Sequence, residues 1–495
     1  MSSRKTLMNT FATMLIVSAL GLLAGPMSVV YAQQAGDQGA PPAASGPDTT
    51  TQVIENPPLS GLDEPSFEPG YGPRSYLLPT LQVSQAVDTN ATGSVGSNAT
   101  IRDVTRVLGS LTLREMWKTH PLDIDYSGGI LRYYGPGGKT FQIHSLAATQ
   151  RFLWRTGQLA LRDSFSYLPE GSFGFSSFGG AGAVNGGGGL GGLGGGVTTG
   201  AGIPGGGGGS PFGSGQFGSL GNQPRITNSS IADVTQALSP RSSVVLSGGF
   251  GLTDFLNAPT GYINSQHTTG QAGYNYQISR HDQIALTYAY QEFHFPRAGS
   301  GSFNVNVWQV MYGHRISGKL DLKLGGGPQW VHTNGLAQTP SGALVQSNRS
   351  VLSGSGRASL MYHMSTRSNL TFAYSHSTNP GSGFFAGANS DAVRLALSHT
   401  LTRRWSSTLD TGYVRNSRIL ATQASIANNA STYQNWYAGA GLRRQLGRHF
   451  GAFTSYQYDG IRFGSGFCTG ANCDTYGRHV GLIGLDWTPH PIRLD

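Results

Sequence analysis

The sequence predicts an all-β fold, a transmembrane antiparallel β-barrel of about 18 strands, and three observations predict it. Apolar and polar residues alternate along many short runs, such as Asp391–His399, and this alternation gives a strand one apolar and one polar face. The connections between runs are alternately short and long, which is typical of membrane barrels. Only 12% of the 495 residues are charged, and no apolar run reaches the roughly 18 residues that a membrane helix needs.

Residues 1–32 have the pattern of a secretory signal peptide. A basic start at Arg4 and Lys5 precedes the apolar segment Phe11–Leu23, and small residues at Val30 and Ala32 mark a cleavage site after Ala32. The alternative is a helical membrane anchor. It is disfavoured because Gly25 and Pro26 interrupt the apolar run.

Residues 33–74 are predicted to form a disordered periplasmic linker, rich in Pro and Gly and without strand or helix periodicity. Positions 33–73 hold six acidic residues and no Lys or Arg. The basic excess of the protein therefore belongs to residues 75–495, the predicted barrel, which has 30 Lys or Arg against 18 Asp or Glu, a net charge of +12.

The strands are counted from eight short turns, each of which contains a Lys or Arg and separates two alternating runs. Nine longer polar segments, predicted to be extracellular loops, centre near 87–100, 134–140, 169–225, 255–264, 295–303, 333–348, 375–390, 415–432 and 464–475. Eight hairpins and one strand at each end give 18 strands, with 16 as the alternative. Both chain ends then lie on the short-turn side, which is periplasmic in bacterial outer-membrane barrels. The short turns are Lys118–Pro121, Arg155–Gln158, Ser239–Ser242, Ser279–Asp282, Ser317–Leu320, Ser365–Ser368, Thr402–Trp405 and Gly447–Phe450.

Charged residues in the runs are predicted to face the lumen, because a charge at the lipid midplane costs roughly 2–4 kcal/mol for Arg or Lys. Fixed positive charge in a water-filled pore attracts anions and lowers the barrier to their passage. The equally weighted alternative is that the arginines pair with aspartates and brace the wall. The candidate lumen residues are Arg106, Arg114, Arg151, Arg357, Arg394, Arg443, Arg478, Asp321 and Asp410.

The loop at 171–224 is predicted to be mobile, because residues 171–220 include 24 glycines and no charged residue. We favour a neutral insertion at this position. The functional alternative is a loop that folds back and gates the lumen.

No catalytic, cofactor or metal site is predicted. The segment Gly138–Thr140 resembles the end of a phosphate-binding loop, but Tyr133 occupies the position where that loop needs glycine. The 13 histidines form no HExxH or Cys/His cluster. Cys468 and Cys473 flank one loop and are expected to form a disulfide in an oxidising compartment. Nucleic-acid binding is not expected, because the charge is distributed along strands.

The runs around Leu401–Trp405 and Gly412–Arg415 resemble the outer-membrane β-barrel proteins of Gram-negative bacteria. Some members of that class are encoded with exopolysaccharide export systems. The resemblance implies insertion by the barrel-insertion machinery and contact with outer-membrane lipid and lipopolysaccharide. The expected function is a pore or conduit for polar or anionic solutes, or for a polysaccharide. The alternative is a plugged barrel that serves as a receptor, adhesin or scaffold. The oligomeric state is left open.

Overall fold

The computed structural model describes residues 75–91, 100–117, 119–135, 137–168, 224–256, 262–296, 301–338, 344–365, 367–381, 385–420, 431–464 and 474–494. These residues form β-strands and their connections. The strands are β1 Tyr76–Asp88, β2 Arg102–Glu115, β3 Leu122–Tyr133, β4 Thr140–Trp154, β5 Gly157–Leu168, β6 Arg225–Ser239, β7 Ser242–Phe255, β8 Ser265–Gln277, β9 Asp282–His294, β10 Ser302–Ser317, β11 Leu320–Gln338, β12 Leu344–Ser365, β13 Ser368–Asn379, β14 Ala386–Thr402, β15 Trp405–Leu420, β16 Thr432–Gln445, β17 Phe450–Phe463, β18 Thr475–Trp487 and β19 Ile492–Arg493.

Each strand from β1 to β18 pairs antiparallel with the next, and β18 pairs with β1, so the sheet closes into a barrel. At the closure, Leu81 lies opposite Trp487, and the short strand β19 pairs with the first two residues of β1. Closure leaves no strand edge unpaired, which a lipid environment requires. The prediction of 18 strands is confirmed, and each predicted short turn separates two strands of the barrel.

The two faces of the wall differ in exposure and in chemistry. In β1, Gln82 and Ser84 are 2% and 4% exposed, whereas the alternate residues Leu81 and Val83 are 44% and 46% exposed. We call the first the inner face and the second the outer face. We call the end with the short turns the turn end and the other the loop end. The outer face carries the apolar residues, as expected for a wall in contact with lipid.

Several strands extend further towards the loop end than the sequence predicted. A loop was expected at 333–348, yet β11 continues to Gln338 and β12 begins at Leu344. Similarly, β15 continues to Leu420, beyond the expected end at 415. The outer face becomes polar at these positions, for example at Arg415 and Ser417, so the alternation disappears while the backbone ladder continues.

Four predictions concern residues outside the described part of the chain: the signal peptide (1–32), the acidic linker (33–74), the Gly-rich loop through residue 223, and the Cys468–Cys473 disulfide. They remain predictions. In the part of the chain that is described, no helix has the length and apolar character needed to cross a bilayer.

Candidate functional site

The barrel interior is strongly basic, and the pairing register shows this directly. On β1 to β18 the described inner face carries fourteen Arg or Lys residues and eight Asp residues, an excess of six positive charges. The outer face of the same strands has four Arg and seven acidic residues. The inner cations are Arg102, Arg106, Arg114, Arg151, Arg162, Arg225, Arg315, Lys323, Arg349, Arg357, Arg394, Arg418, Arg443 and Arg478.

All nine lumen candidates from the sequence lie on this inner face by register, and six of them belong to ion pairs with other wall residues. Six such pairs bridge the described inner wall. They are Arg114–Asp123, Arg162–Asp233, Arg315–Asp321, Arg394–Asp410, Arg443–Asp486 and Arg478–Asp88.

The pair of Arg394 and Asp410 lies in the middle of the wall and is bidentate. Arg394 Nε donates to Asp410 Oδ1 at 3.0 Å, and Nη2 donates to Oδ2 at 2.5 Å. Tyr437 Oη also donates to Oδ1, at 2.8 Å. The Tyr437 ring can reach Asp410 because it crosses Gly412, where a Cβ would lie 2.5 Å from Tyr437 Cε1. Three strands are therefore joined by one buried carboxylate.

A second bidentate pair lies nearer the loop end, where Arg478 donates from Nε and Nη2 to Asp88 across the β18–β1 seam. Asp459 lies opposite Arg478 on β17 and accepts a hydrogen bond from Gln457 Nε2 at 2.7 Å. All four side chains are almost completely buried. The ion pair thus ties together the two strands at which the barrel closes.

Arg443 reaches across an entire strand to its partner. It lies on β16, and its Nη2 donates at 2.7 Å to Asp486 Oδ2 on β18. The intervening position on β17 is Gly451, where a Cβ would lie 2.7 Å from Asp486 Oδ1. A side chain at Gly451 would block the bridge.

Two other ion pairs at the turn end, Arg114–Asp123 and Arg315–Asp321, are more open to solvent. Arg114 lies 3.3 Å from Asp123, and Arg315 Nε lies 3.1 Å from Asp321 Oδ1. Arg151, on the inner face of β4, is exposed. Water therefore reaches the lining at this end of the barrel.

Arg106 and Arg357, the remaining candidates, lie on the inner face away from the turns. Arg106 is 1% exposed. Arg357 lies across from Gly325, and its Nη2 is 2.5 Å from Met311 Sδ.

A buried, mainly aromatic assembly lies across the loop end of the interior, and we call it the loop-end cluster. One half joins Phe255 and Tyr262, at the β7–β8 connection, to Phe385, Tyr433 and Phe463 near the ends of β14, β16 and β17. The Phe255 and Tyr262 rings stack with centroids 4.9 Å apart, and Phe385 packs on Tyr433 at 5.1 Å. Strands β7 and β16 are nine strands apart in an 18-strand barrel, so this half spans the lumen.

The other half of the loop-end cluster starts from the next residues along the chain. Ile263 and Ala386 pack with Phe293, Phe303 and residues of β10, β11 and β15, including Leu420. The segments containing Tyr262–Ile263 and Phe385–Ala386 thus each contribute to both halves. Every residue of the assembly is buried.

Glycines with a positive φ allow the β13–β14 connection to turn inwards. Gly381 and Gly387 have φ of +85° and +83°, a region that other residues rarely adopt. Gly387 also lies against the Phe303 ring, because a Cβ there would be 2.2 Å from Phe303 Cε1. Asn379 Oδ1 accepts the Gly381 backbone N–H at 2.8 Å and fixes the start of the turn.

The loop-end cluster was missed by the sequence analysis, which treated 255–264 and 375–390 as polar loops. One signal was available, since Phe384 and Phe385 form an aromatic pair inside a Gly- and Ser-rich segment. Solvated loops gain nothing from such a pair, so it indicates packing against another part of the molecule.

The Ser–His contacts of the described residues do not form a catalytic triad. Two histidines contact serine hydroxyls through Nδ1: His399 with Ser368 at 2.6 Å and His332 with Ser350 at 2.7 Å. Neither histidine has a carboxylate partner among the described residues, so the Ser–His–acid relationship is missing there. No group of three or more His, Cys, Asp or Glu residues that could hold a metal occurs in the described ranges.

A closed 18-strand antiparallel barrel with an apolar outer face and a charged inner face defines a class of protein. The chain has the fold of that class, the outer-membrane β-barrels of the Gram-negative type. No protein-family model and no curated protein matches the chain.

Several solved outer-membrane barrels are similar in structure. The ferric-catecholate import receptor Fiu from E. coli K12, in its open form, aligns with a TM-score of 0.39 and 9% identity over 83% of this chain and 81% of the receptor. OccK2 (OpdF) from Pseudomonas aeruginosa aligns with a TM-score of 0.39 and 8% identity, over 83% of this chain and 98% of OccK2. The FrpB iron transporter from Neisseria meningitidis (F5-1 variant) aligns with a TM-score of 0.37 and 8% identity, over 84% of this chain and 82% of the transporter. At such scores the neighbours carry no argument about the solute.

Proposed function

We propose that the protein is a gated conduit for anionic or polar solutes, closed at the loop end in the conformation described here. The main observation in support is the basic interior, because the described inner face has fourteen Arg or Lys residues and only eight Asp residues. Fixed positive charge inside a low-dielectric wall concentrates anions and lowers the barrier to their entry.

In this proposal some inner arginines brace the wall by pairing with aspartates, and the remaining positive charge selects the solute. Six arginines pair with aspartates and hold neighbouring strands together, as the bracing hypothesis expects. Such pairs nearly cancel at a distance, so the field in the lumen comes from the excess of six positive charges. Arg is well suited to recruiting carboxylates or phosphates, because its planar group binds them in a bidentate manner.

In this proposal the barrel sits in the bacterial outer membrane with its turn end and both termini in the periplasm. It is inserted by the barrel-insertion machinery and is surrounded by lipid and lipopolysaccharide. The start of β1 and the end of β18 both lie at the end of the barrel with the short turns, which supports this orientation. An acidic polysaccharide is one anionic cargo that the basic interior would suit, and some members of the class that the sequence resembles are encoded with exopolysaccharide export systems.

The second candidate function is a permanently plugged receptor, adhesin or scaffold, and the loop-end cluster favours it. A buried assembly that spans the lumen blocks passage for as long as it stays in place. The two functions differ in one physical property, because a gate opens when its packing is weakened and a plug supported elsewhere does not.

Planar-bilayer recording of the purified full-length protein tests the proposal. We expect rare openings for the native protein and much more frequent openings for Tyr262→Ser/Phe385→Ser, which removes two rings from the loop-end cluster. In a salt gradient the reversal potential should indicate anion preference. Tyr413→Ser, which removes an aromatic ring from the outer face, should behave like the native protein.

Two results would contradict the conduit. Absence of channels in the double variant, when the variant is folded by its heat-dependent gel mobility, would favour the plugged receptor or scaffold. Cation preference in the open variant would remove the anionic solute class.

A further inference from the structure

A groove of about 440 Å³ lies on the outer face of β7, β8 and β9, away from the lumen. Its floor is made of small residues, since Gly248 lies opposite Gly270 and Ala272 follows on the same strand. Tyr288 and Tyr290 form one wall, and Leu246 forms another side. The groove exists because glycine leaves the sheet surface bare where other strands place leucine or phenylalanine.

A polar triad lies on the outer face beside the groove, formed by Asp163 of β5 with Asn228 and Ser230 of β6. Asp163 Oδ1 accepts hydrogen bonds from Ser230 Oγ at 2.5 Å and from Asn228 Nδ2 at 3.3 Å. Its surroundings are apolar, because Leu161 and Phe165 flank Asp163 on its own strand. A carboxylate in contact with acyl chains has no further hydrogen-bond donors and is costly there.

A bulky apolar ridge on β4 and β5 adjoins the triad on the side away from the groove and shares β5 with Asp163. Leu161 and Phe165 project from the outer face of β5, and Leu146 lies opposite Phe165 on β4. Leu161 is 42% exposed. Around the barrel the order is therefore ridge, polar triad and groove.

This order makes the surface complementary to itself, and we propose that the outer face of β4–β9 is the docking site for a second copy of this chain. Copies in one membrane share the same orientation, so an axis along the barrels relates them. Such an axis brings the ridge of one copy to the groove of the other. The triad then lies near the centre of the contact, where each copy contributes both donors and acceptors.

Acyl chains alone account for the observations less well. A hydrocarbon chain would fill the groove, yet it offers nothing to the carboxylate of Asp163. The outer face elsewhere shows what a surface covered by lipid looks like. Across β11–β13, for example, Leu322 lies beside Leu360, which lies opposite Phe372, and no charged residue interrupts them. The proposal does not depend on the conduit function, and a plugged barrel could use the same contact.

Filling the groove tests the proposal without disturbing the barrel. A Cβ added at Gly270 meets no atom within 4 Å, so Gly270→Leu fits the monomer and projects into the groove. Gly354→Leu is the matched control, because Gly354 lies on the outer face of β12 and its added Cβ also meets nothing within 4 Å. The measurement is the mass of the purified full-length protein in mild detergent, by native mass spectrometry, together with chemical crosslinking in isolated membranes.

We expect the native protein and Gly354→Leu to form a dimer or a larger ring, and Gly270→Leu to run as a monomer. A monomeric native protein that carries bound lipid would overturn the proposal, as would a Gly270→Leu variant that keeps its assembly.

Asp163→Leu provides an independent readout at the triad. At an interface it should weaken the assembly at least several-fold, because the central donors lose their acceptor. On a lipid-covered surface it would instead raise the unfolding temperature and leave the mass unchanged. That second result would overturn the proposal even if the glycine variants were ambiguous.

Discussion

The two ends of the barrel interior are built from the same kind of wall and yet differ sharply. At the turn end, ion pairs such as Arg315–Asp321 are open to water. At the loop end, aromatic residues such as Phe303 and Tyr433 are completely buried. The difference arises from the connections, because loop-end segments fold inwards and none of the described turn-end segments does. The strands therefore set the shape of the lumen, and the loops decide what fills it.

The ion pairs of the inner wall differ widely in burial, and Arg443–Asp486, with an Asp that is 2% exposed, shows that a pair near the turn end can also be buried. The Asp side chain is 22% exposed in Arg315–Asp321, 2% in Arg394–Asp410 and 0% in Arg478–Asp88. Coulomb attraction strengthens as water is excluded, but so does the penalty for an unpaired charge. Chemically similar pairs should therefore differ in their effect on stability according to how deeply each carboxylate is buried.

The largest effect is expected when a buried carboxylate is removed. Asp410→Ala leaves Arg394 and Tyr437 without their shared acceptor, and we expect a loss of about 3 kcal/mol in the free energy of unfolding. The matched change at the turn end, Asp321→Ala, should cost less than about 1 kcal/mol because water solvates Arg315. Urea unfolding of the barrel in lipid vesicles measures both values. Equal losses in the free energy of unfolding would show that burial does not determine how much each ion pair contributes to stability.

Much of the fold was predictable from the sequence, because its signals are local. Alternation assigns a face to each residue within one strand, so the inner position of Arg394 and the outer position of Leu395 follow from parity alone. The short turns were equally clear, since each has a basic residue between two alternating runs. These signals gave the number of strands and the basic interior.

The loop-end cluster and the pairing of charges were not predictable in this way. Tyr262 and Phe385 come together only when the barrel has closed, and no periodicity marks them in advance. The Arg443–Asp486 bridge depends on the register of three strands and on Gly451 between them. The groove on the outer face also depends on strand register, because Gly248 and Gly270 become neighbours only when β7 pairs with β8.

An intermediate effect is expected at the glycine that lets the loop-end segment turn inwards. Gly387→Ala combines a φ of +83° with a Cβ 2.2 Å from the Phe303 ring, so we expect a loss of about 1–3 kcal/mol. Gly354→Ala, with open space around its Cβ, should change stability by less than about 0.5 kcal/mol. Heat-dependent gel mobility compares the unfolding temperatures. If both variants melt like the native protein, the loop-end closure contributes nothing to stability.

The smallest effect is expected from single charges in the open region near the turn end. Arg151→Gln removes one of fourteen inner cations, so in the Tyr262→Ser/Phe385→Ser background it should reduce anion preference only slightly. The size of this change in anion preference depends on screening by salt, because the Debye length grows from about 10 Å at 0.1 M salt to about 30 Å at 0.01 M. The shift in reversal potential should therefore increase as salt is lowered.

The control for that measurement removes a charge of the same sign from the other face of the wall. Arg444 lies on the outer face of β16, with its guanidinium 5.3 Å from the centre of the Trp405 ring. Arg444→Gln should leave the reversal potential unchanged at both salt concentrations, because the low-dielectric wall separates it from the permeating ion. If the two variants shifted the potential equally, the selectivity would come from the net charge of the protein. If only Arg151→Gln shifted it, the inner excess of positive charge would be the selecting field.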